Sequence, residues 1–292
     1  MAKKGAFNYF GDKMKVESDG KNTVLKEVDN LNIALTLDCG QAFRWSTADD
    51  GAFCGIAFKK HLRLKQEGDS ITLFNTSKDD FENIWRRYFD LDRDYAAIIA
   101  SYSDEKLKTA CKEYPGIRIL RQEPWETVCS FIISANNNIP RIKGIIERLC
   151  ENFGEKTEGG YTFPEPSALA ALSEADLAPI RSGFRAKYII DAAKKFSTGE
   201  VDPARIEKES FEDAKAELLK IKGVGEKVAQ CSLLYGFGRT EAFPRDVWVK
   251  RIVSELYPDG LPECIKGTEG IAQQYLFHWR RNLEKEYAKK EI

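Results

Sequence analysis

Apolar and polar residues change rhythm along this chain. Between about residues 20 and 77 they alternate. The stretches "NTVLKEV", "LNIALTLDCGQAFRWS", "GAFCGIAFKKHLRLKQEG" and "SITLFNTS" favour apolar residues at every second position, with "DDG" and "EGD" as turn signals. That period predicts an antiparallel sheet with one covered face. From "DDFENIWRRYF" onward the period is helical. "PWETVCSFIISANN", "IPRIKGIIERLCENF", "PSALAALSEADLAPI", "AKYIIDAAKKFSTG", "SFEDAKAELLKI", "EKVAQCSLLYGFG", "DVWVKRIVSELY" and "GIAQQYLFHWRRNLEKEYAKK" carry apolar residues at i, i+3 and i+4. Short joints bearing Gly or Pro separate them. The expected fold class is α+β: an N-terminal antiparallel β-sheet domain with flanking helices over residues 1–120, then a mainly α-helical domain over residues 121–292.

Composition narrows the partner. The 292 residues suffice for about two domains. Lys and Arg number 45 against 46 Asp and Glu, a formal charge of −1, so a polyanionic partner needs a local basic face. The opening "MAKKGAFNYF" lacks an apolar core of signal-peptide length, and no stretch approaches the ~18 apolar residues of a membrane span, so a cytoplasmic chain is expected. The seven cysteines are odd in number and form no C-x-x-C pair, which reads as reduced thiols. With only His61 and His278, a histidine-built metal centre is not expected.

The stretch with most chemistry is "LLKIKGVGEKVAQCSL", residues 218–233, inside a helix–turn–helix unit spanning 211–236. Gly223 and Gly225, around Val224, can take backbone angles that a Cβ forbids and let another backbone come close. A helix begins there, so free N–H groups and the positive end of its dipole face outward, suited to a DNA phosphate. The same residues also read as a plain helix–helix joint. Lys227 stands in the first helical turn, where the dipole disfavours a cation and an acid such as Glu226 is the stabilising choice. A partly desolvated lysine there gives up its proton more readily and becomes an amine nucleophile; a solvated surface lysine is the alternative. Asp246, 19 residues on, directly precedes a helical run as an N-cap would. A carboxylate there can also assist deprotonation or stabilise positive charge developing on a sugar. Finally, "ANNNIPR" sets three amides, a proline and an arginine after the apolar "CSFII", which predicts an exposed loop.

Hairpin, lysine and aspartate in this order resemble the helix-hairpin-helix DNA glycosylase superfamily, and Lys227 resembles its members that both excise a base and nick the strand. "LDCGQAFRW" (37–45), "WRRYFDLDRDY" (85–95), "SFIISANNNIPRIKGIIERLC" (130–150), "SGFRAKYI" (182–189) and "IAQQYLFHW" (271–279) are similar to the 8-oxoguanine DNA glycosylases of the eukaryotic type, from about residue 30 to the end. The resemblance implies a two-lobed helix-hairpin-helix glycosylase core after the sheet. It also implies excision of 8-oxoguanine through a Schiff base on Lys227, aided by Asp246, followed by β-elimination. The lesion pocket would comprise Gly40, Cys231, Gln273, Phe277 and Trp248. Asn136, Arg141, Phe184 and Arg185 would meet the DNA and the opposite base, and Gly223, Val224 and Gly225 a phosphate. Family members usually have histidine at position 248, tyrosine at 184 and alanine at 140. Iron–sulfur relatives carry four cysteines after the aspartate; here only Cys264 follows, so no cluster is expected. No metal or other cofactor is implied, save that a structural monovalent or divalent cation on the hairpin carbonyls is compatible with the family. The implied partner is double-stranded DNA with 8-oxoguanine opposite cytosine, met by a monomer, with no membrane. Two alternatives stay open. One is an alkylpurine glycosylase on the same fold, opposed by Lys227 and Gly40. The other is a non-catalytic DNA-binding module, which needs the hairpin but neither Lys227 nor the Gln273 and Phe277 pair.

Overall fold

The computed structural model describes residues 14–290, so the opening "MAKKGAFNYF" lies outside the described residues. The alternating segments form one six-stranded antiparallel sheet. Its strands are β1 (Lys15–Ser18), β2 (Thr23–Lys26), β3 (Trp45–Thr47), β4 (Phe53–Ala57), β5 (Lys60–Glu67) and β6 (Ser70–Phe74), in spatial order β1-β2-β6-β5-β4-β3. Register sets Leu25 opposite Ile71 and Leu64 opposite Leu73, and these four with Leu62 are buried, as the two-residue period requires. Phe81, Trp85, Tyr88 and Phe89 join the same core. They come from a continuous helical passage: α2 (Lys78–Asp80), a π-helical turn (Phe81–Trp85) and α3 (Arg86–Tyr88). The indole N–H of Trp45 donates to the Tyr88 hydroxyl at 2.7 Å.

Strand was expected throughout "LNIALTLDCGQAFRWS", but Ile33–Leu37 is a helix, α1, and only Trp45–Thr47 extends. The sequence fits both periods there, and capping decides. Asn32 Oδ1 accepts from Leu35 N at 3.0 Å, while Gln66 Oε1 accepts from Ile33 N at 2.8 Å. Ile33, Thr36 and Leu37 then bury one helical face. Strand β1 also precedes the predicted start of the sheet.

The remaining helices are α4 (Tyr95–Ser101), α5 (Glu105–Glu113), α6 (Pro124–Ser134), α7 (Ile139–Phe153), α8 (Pro166–Ala170), α9 (Ala186–Thr198), α10 (Pro203–Ile206), α11 (Phe211–Leu219), α12 (Glu226–Phe237), α13 (Val247–Leu256) and α14 (Glu269–Lys290). A small hairpin of β7 (Lys156–Thr157) and β8 (Gly160–Tyr161) follows α7. Helices α6 and α12 are buried on nearly every side and pack on one another as the central pair. The expected helix in "PSALAALSEADLAPI" stops at Ala170, leaving a 3₁₀ turn at Ala178–Ile180. There Asp176 accepts from both the backbone N–H and the hydroxyl of Ser173, at 2.8 and 2.7 Å, closing a local turn that competes with the helix.

Two buried clusters result, one under the sheet and one among the helices; Cys39, Phe43, Tyr95 and Leu107 belong to the helical one. Among the described residues no helix is long and apolar enough to cross a membrane.

Glu123, at the start of α6, makes no side-chain capping bond. Burial, then the neighbouring carboxylates of Glu126 and Glu165, push its carboxyl up from 4.5 to about 7. A folded-state value above the unfolded one means stability fully present below pH 4.5 and lost as pH rises through about 7. Glu123→Gln is therefore expected to raise Tm by about 2–4 °C near pH 8 and by much less near pH 5, read by scanning calorimetry.

Candidate active site

The hairpin joins α11 to α12, and its two glycines do different work. Gly223 has φ +83°, and a Cβ there would run into the ring of Tyr188, so conformation and space both demand glycine. Gly225 is different from expectation: its φ of −99° is ordinary extended backbone. An added Cβ at Gly225 would meet nothing within 4 Å, so what this position offers is an open approach to the start of α12. Gly225 is the N-cap residue and supplies no side-chain acceptor, so the first-turn amides lack side-chain capping. Buried Val224 anchors the turn between the two.

Lys227 follows in the first turn of α12, half-buried. Its Nζ donates to Ser134 Oγ at 3.4 Å and lies 5.3 Å from the centre of the Phe131 ring. Both partners come from the end of α6. Ser134 Oγ in turn donates to Phe131 O at 2.8 Å, and Phe131 stacks on Tyr235 at 5.3 Å. Among the described residues no carboxylate forms an ion pair with Nζ. Asp246 caps α13 as expected, accepting from Val249 N at 2.8 Å. The chain leading to it is tied to α12 by Gln230, whose Oε1 accepts from Phe243 N at 2.9 Å.

One helical turn after Lys227 sits Cys231, buried. Burial pushes its thiol up to about 11; the Lys227 ammonium pulls it down and the Asp246 carboxylate pushes it further up. Amine, thiol and carboxylate thus form one electrostatic cluster. The Tyr235 hydroxyl is raised by burial first, then by Cys231, Cys39 and Asp246. Gln122 ties the Gly40 turn to α12, its N donating to Tyr235 O and its Nε2 to Gln41 O, each at 2.7 Å. Gly40 has φ +85°.

Gln273 projects from α14 with its Oε1 buried and without a hydrogen-bond partner. Leaving such a group unpaired costs about 1–3 kcal/mol. Phe277, one turn on, is half-buried and packs against the helical core. Trp248 is 45% exposed beside Asp246.

The predicted opposite-base residues occupy a second edge. Asn136 is exposed with φ +50°. The irregular segment is shorter than "ANNNIPR" suggested: Asn138 caps Arg141 N at 3.0 Å, so Pro140 and the exposed Arg141 already belong to α7. Phe184 is 55% exposed and meets Tyr188 edge-on at 6.2 Å. Arg185, expected to face DNA beside it, is only 2% exposed. Its guanidinium donates to Ala135 O at 2.6 and 3.2 Å, to Asn136 O at 3.0 Å and to Ser182 O at 3.3 Å. The reason is steric and polar together: the two carbonyls at the end of α6 need donors, and Arg185 is the fork that reaches them. Phe131, Ser134, Tyr188 and Gln230 were not singled out from the sequence, where they read as ordinary helical positions. Among the described residues no group of three or more His, Cys, Asp or Glu could hold a metal ion.

Residues 23–128 match the family model of the 8-oxoguanine DNA glycosylase N-terminal domain, and residues 129–261 that of the HhH-GPD superfamily base excision DNA repair proteins. The chain is 32% identical over 244 residues to the probable N-glycosylase/DNA lyase of Methanothermobacter thermautotrophicus, covering 74% of this chain and 76% of that protein. The chain belongs to the N-glycosylase/DNA lyase family of HhH-GPD proteins. Solved N-glycosylase/DNA lyase structures superpose on it closely. MBOgg1 in complex with a low-affinity DNA ligand has a TM-score of 0.88 at 43% identity, covering 93% of this chain and 99% of that one. The Clostridium acetobutylicum 8-oxoguanine glycosylase/lyase, in complex with double-stranded DNA containing cytosine opposite 8-oxoguanine, has a TM-score of 0.86 at 37% identity, with 92% and 98% covered. Sheet and helical halves are therefore both part of the family fold.

The hairpin glycines are separable by substitution. Gly223→Ala is expected to destabilise by more than about 1 kcal/mol, through positive φ and the Tyr188 clash. Gly225→Ala is expected to change stability by less than about 0.5 kcal/mol. Urea unfolding of both variants checks the pair.

Proposed function

We propose that this N-glycosylase/DNA lyase homologue excises 8-oxoguanine from duplex DNA and then nicks the abasic strand. The observation that carries the reading is the setting of Lys227: an amine at a helix start, set against Ser134 and Phe131 and, among the described residues, without a carboxylate ion pair, with Asp246 acting on the same cluster.

The target nucleotide leaves the stack, because C1′ of its sugar is out of reach inside a duplex. Lys227, as the neutral amine, attacks C1′. The bond from C1′ to the base breaks, and its electron pair departs with the base, which takes up a proton. The sugar ring opens to leave a Schiff base between Nζ and C1′. Loss of a proton from C2′ then expels the 3′ phosphate, which is β-elimination, and water releases the lysine. Asp246 stabilises the positive charge on the sugar while capping α13.

Gly40 accepts from the N7 hydrogen that 8-oxoguanine has and guanine lacks. Gln273 reads the Watson–Crick edge with its unpartnered oxygen. Cys231 and Phe277 flank the purine, and Trp248 lines the pocket. Asn136 fills the position vacated by the flipped base, Phe184 wedges beside the opposite cytosine and Arg141 bonds to it, while buried Arg185 holds the carbonyls of Ala135 and Asn136. Gly223, Val224 and Gly225 hold a phosphate; a structural cation bound there would be held by the hairpin carbonyls and would supply positive charge toward it. In this reading residues 1–120 frame the lesion from the sheet side, and residues 121–292 carry the hairpin and the chemistry.

The test is borohydride trapping on a duplex with one 8-oxoguanine opposite cytosine. Wild type is expected to form a covalent adduct, and Lys227→Gln to form none and to lose excision by more than about 10³-fold. An adduct retained in the variant moves the nucleophile elsewhere; no adduct and no excision by wild type overturns the reading. Asp246→Asn is a cleaner second probe, since asparagine caps a helix as well as aspartate does. Its Tm is expected to stay near wild type while single-turnover excision falls about 10²–10⁴-fold.

A further inference from the structure

The Gly40 turn is fixed in place from outside itself. Gly40 has no neighbour within 4 Å of where its Cβ would stand, so nothing on that side restrains it. The residues flanking it, Cys39 and Gln41, are both buried. Gln41 spends its amide on the backbone and on the Cys39 sulfur. Nε2 donates to Thr36 O and Arg118 O, each at 2.8 Å, and Oε1 accepts from Leu120 N at 2.9 Å. Its carbonyl accepts from Gln122 Nε2 at 2.7 Å, and Gln122 N donates to Tyr235 O at 2.7 Å, one turn beyond Cys231 on α12. Cys39 Sγ donates to Thr36 O at 3.3 Å. The same sulfur accepts from Gln41 Nε2 at 3.2 Å and from Gln274 Nε2 at 3.5 Å. Gln274 is buried on α14, next in sequence to Gln273. Buried hydrogen bonds thus run from the Gly40 turn to both helices that carry the other base-facing groups.

We propose that Cys39, Gln41 and Gln274 are positioning residues that set selectivity for the oxidised base over guanine, by fixing the Gly40 carbonyl relative to Cys231 and Gln273. The proposal rests on the 8-oxoguanine reading above. At the N7 edge the two bases differ by one hydrogen: the lesion presents a donor and guanine a lone pair. Facing a carbonyl, the first is attracted and the second repelled, and both effects weaken steeply with displacement. A carbonyl on a yielding turn would swing away from the guanine lone pair and lose most of the difference. One held by buried hydrogen bonds from two helices cannot, and rejection by an unmatched polar pair then takes full effect.

Gln274→Met keeps the length and bulk of the side chain but removes its N–H donors, and Cys39→Ala removes the sulfur they reach. Two rates are read for each full-length variant. One is the ratio of single-turnover excision of 8-oxoguanine to that of guanine, each opposite cytosine. The other is cleavage of a preformed abasic site, which has no base to read. The ratio is expected to fall at least about tenfold in both variants, with abasic cleavage within about twofold of wild type. An unchanged ratio overturns the proposal. A parallel fall in both activities also overturns it, because the residues would then serve the fold alone. A wild type with no preference for 8-oxoguanine sinks the underlying reading instead, and is seen before any variant is made.

Discussion

A buried guanidinium holds together the segments on which the site hangs. Arg118, 4% exposed, donates to the carbonyls of Asp29, Asn30, Asp90 and Arg93, and its plane lies over the Tyr95 ring at 4.4 Å. A charge so far from water is tolerable only when its donors are matched, and here four backbone dipoles match them. Those carbonyls belong to the approach to α1 and to the chain between α3 and α4, where the sheet half meets the helical half. Its own carbonyl accepts from Gln41. The Gly40 turn is thus located by the same residue that joins the two halves, and it cannot drift from the helices without stranding that charge.

The interior of the site is arranged to be nearly neutral. Burial pushes Cys39 up to about 12 and Cys231 up to about 11, so both thiols keep their protons at physiological pH. The other ionisable groups in the cluster are Lys227 and Asp246. In the function proposed above, a neutral purine entering it meets dipoles, sulfur and rings, and Lys227 and Asp246 act on the sugar. The bulk charge of −1 is silent on all of this, because what matters is which groups burial has neutralised.

Local signals in the sequence carried well. The two-residue period gave the sheet, the helical period gave α6, α7, α9, α11, α12, α13 and α14, and Asp246 stood where an N-cap belongs. The failures have physical causes. Residues 31–37 fit both periods, and the capping groups that settled the matter include Gln66 from a strand more than thirty residues away. Helices α4 and α5 are short and were not singled out. At the site, Lys227 was legible from its own turn, but Ser134 and Phe131 were not, because they reach it only through the packing of α6 on α12. The resemblance set Arg185 against DNA, yet the carbonyls it satisfies lie about fifty residues upstream.

That buried Arg185 carries a thermodynamic consequence. Asn136 sits at φ +50°, a conformation that a free asparagine visits only occasionally, and the guanidinium grips the carbonyls of Ala135 and Asn136 from within the fold. The entropy of shaping this segment is therefore spent once, during folding, and is not charged again at each encounter with a duplex. For the task proposed for Asn136, a rigid tooth is available for every base pair tested along a long molecule, and the discriminating step is left to the nucleotide that must leave the stack.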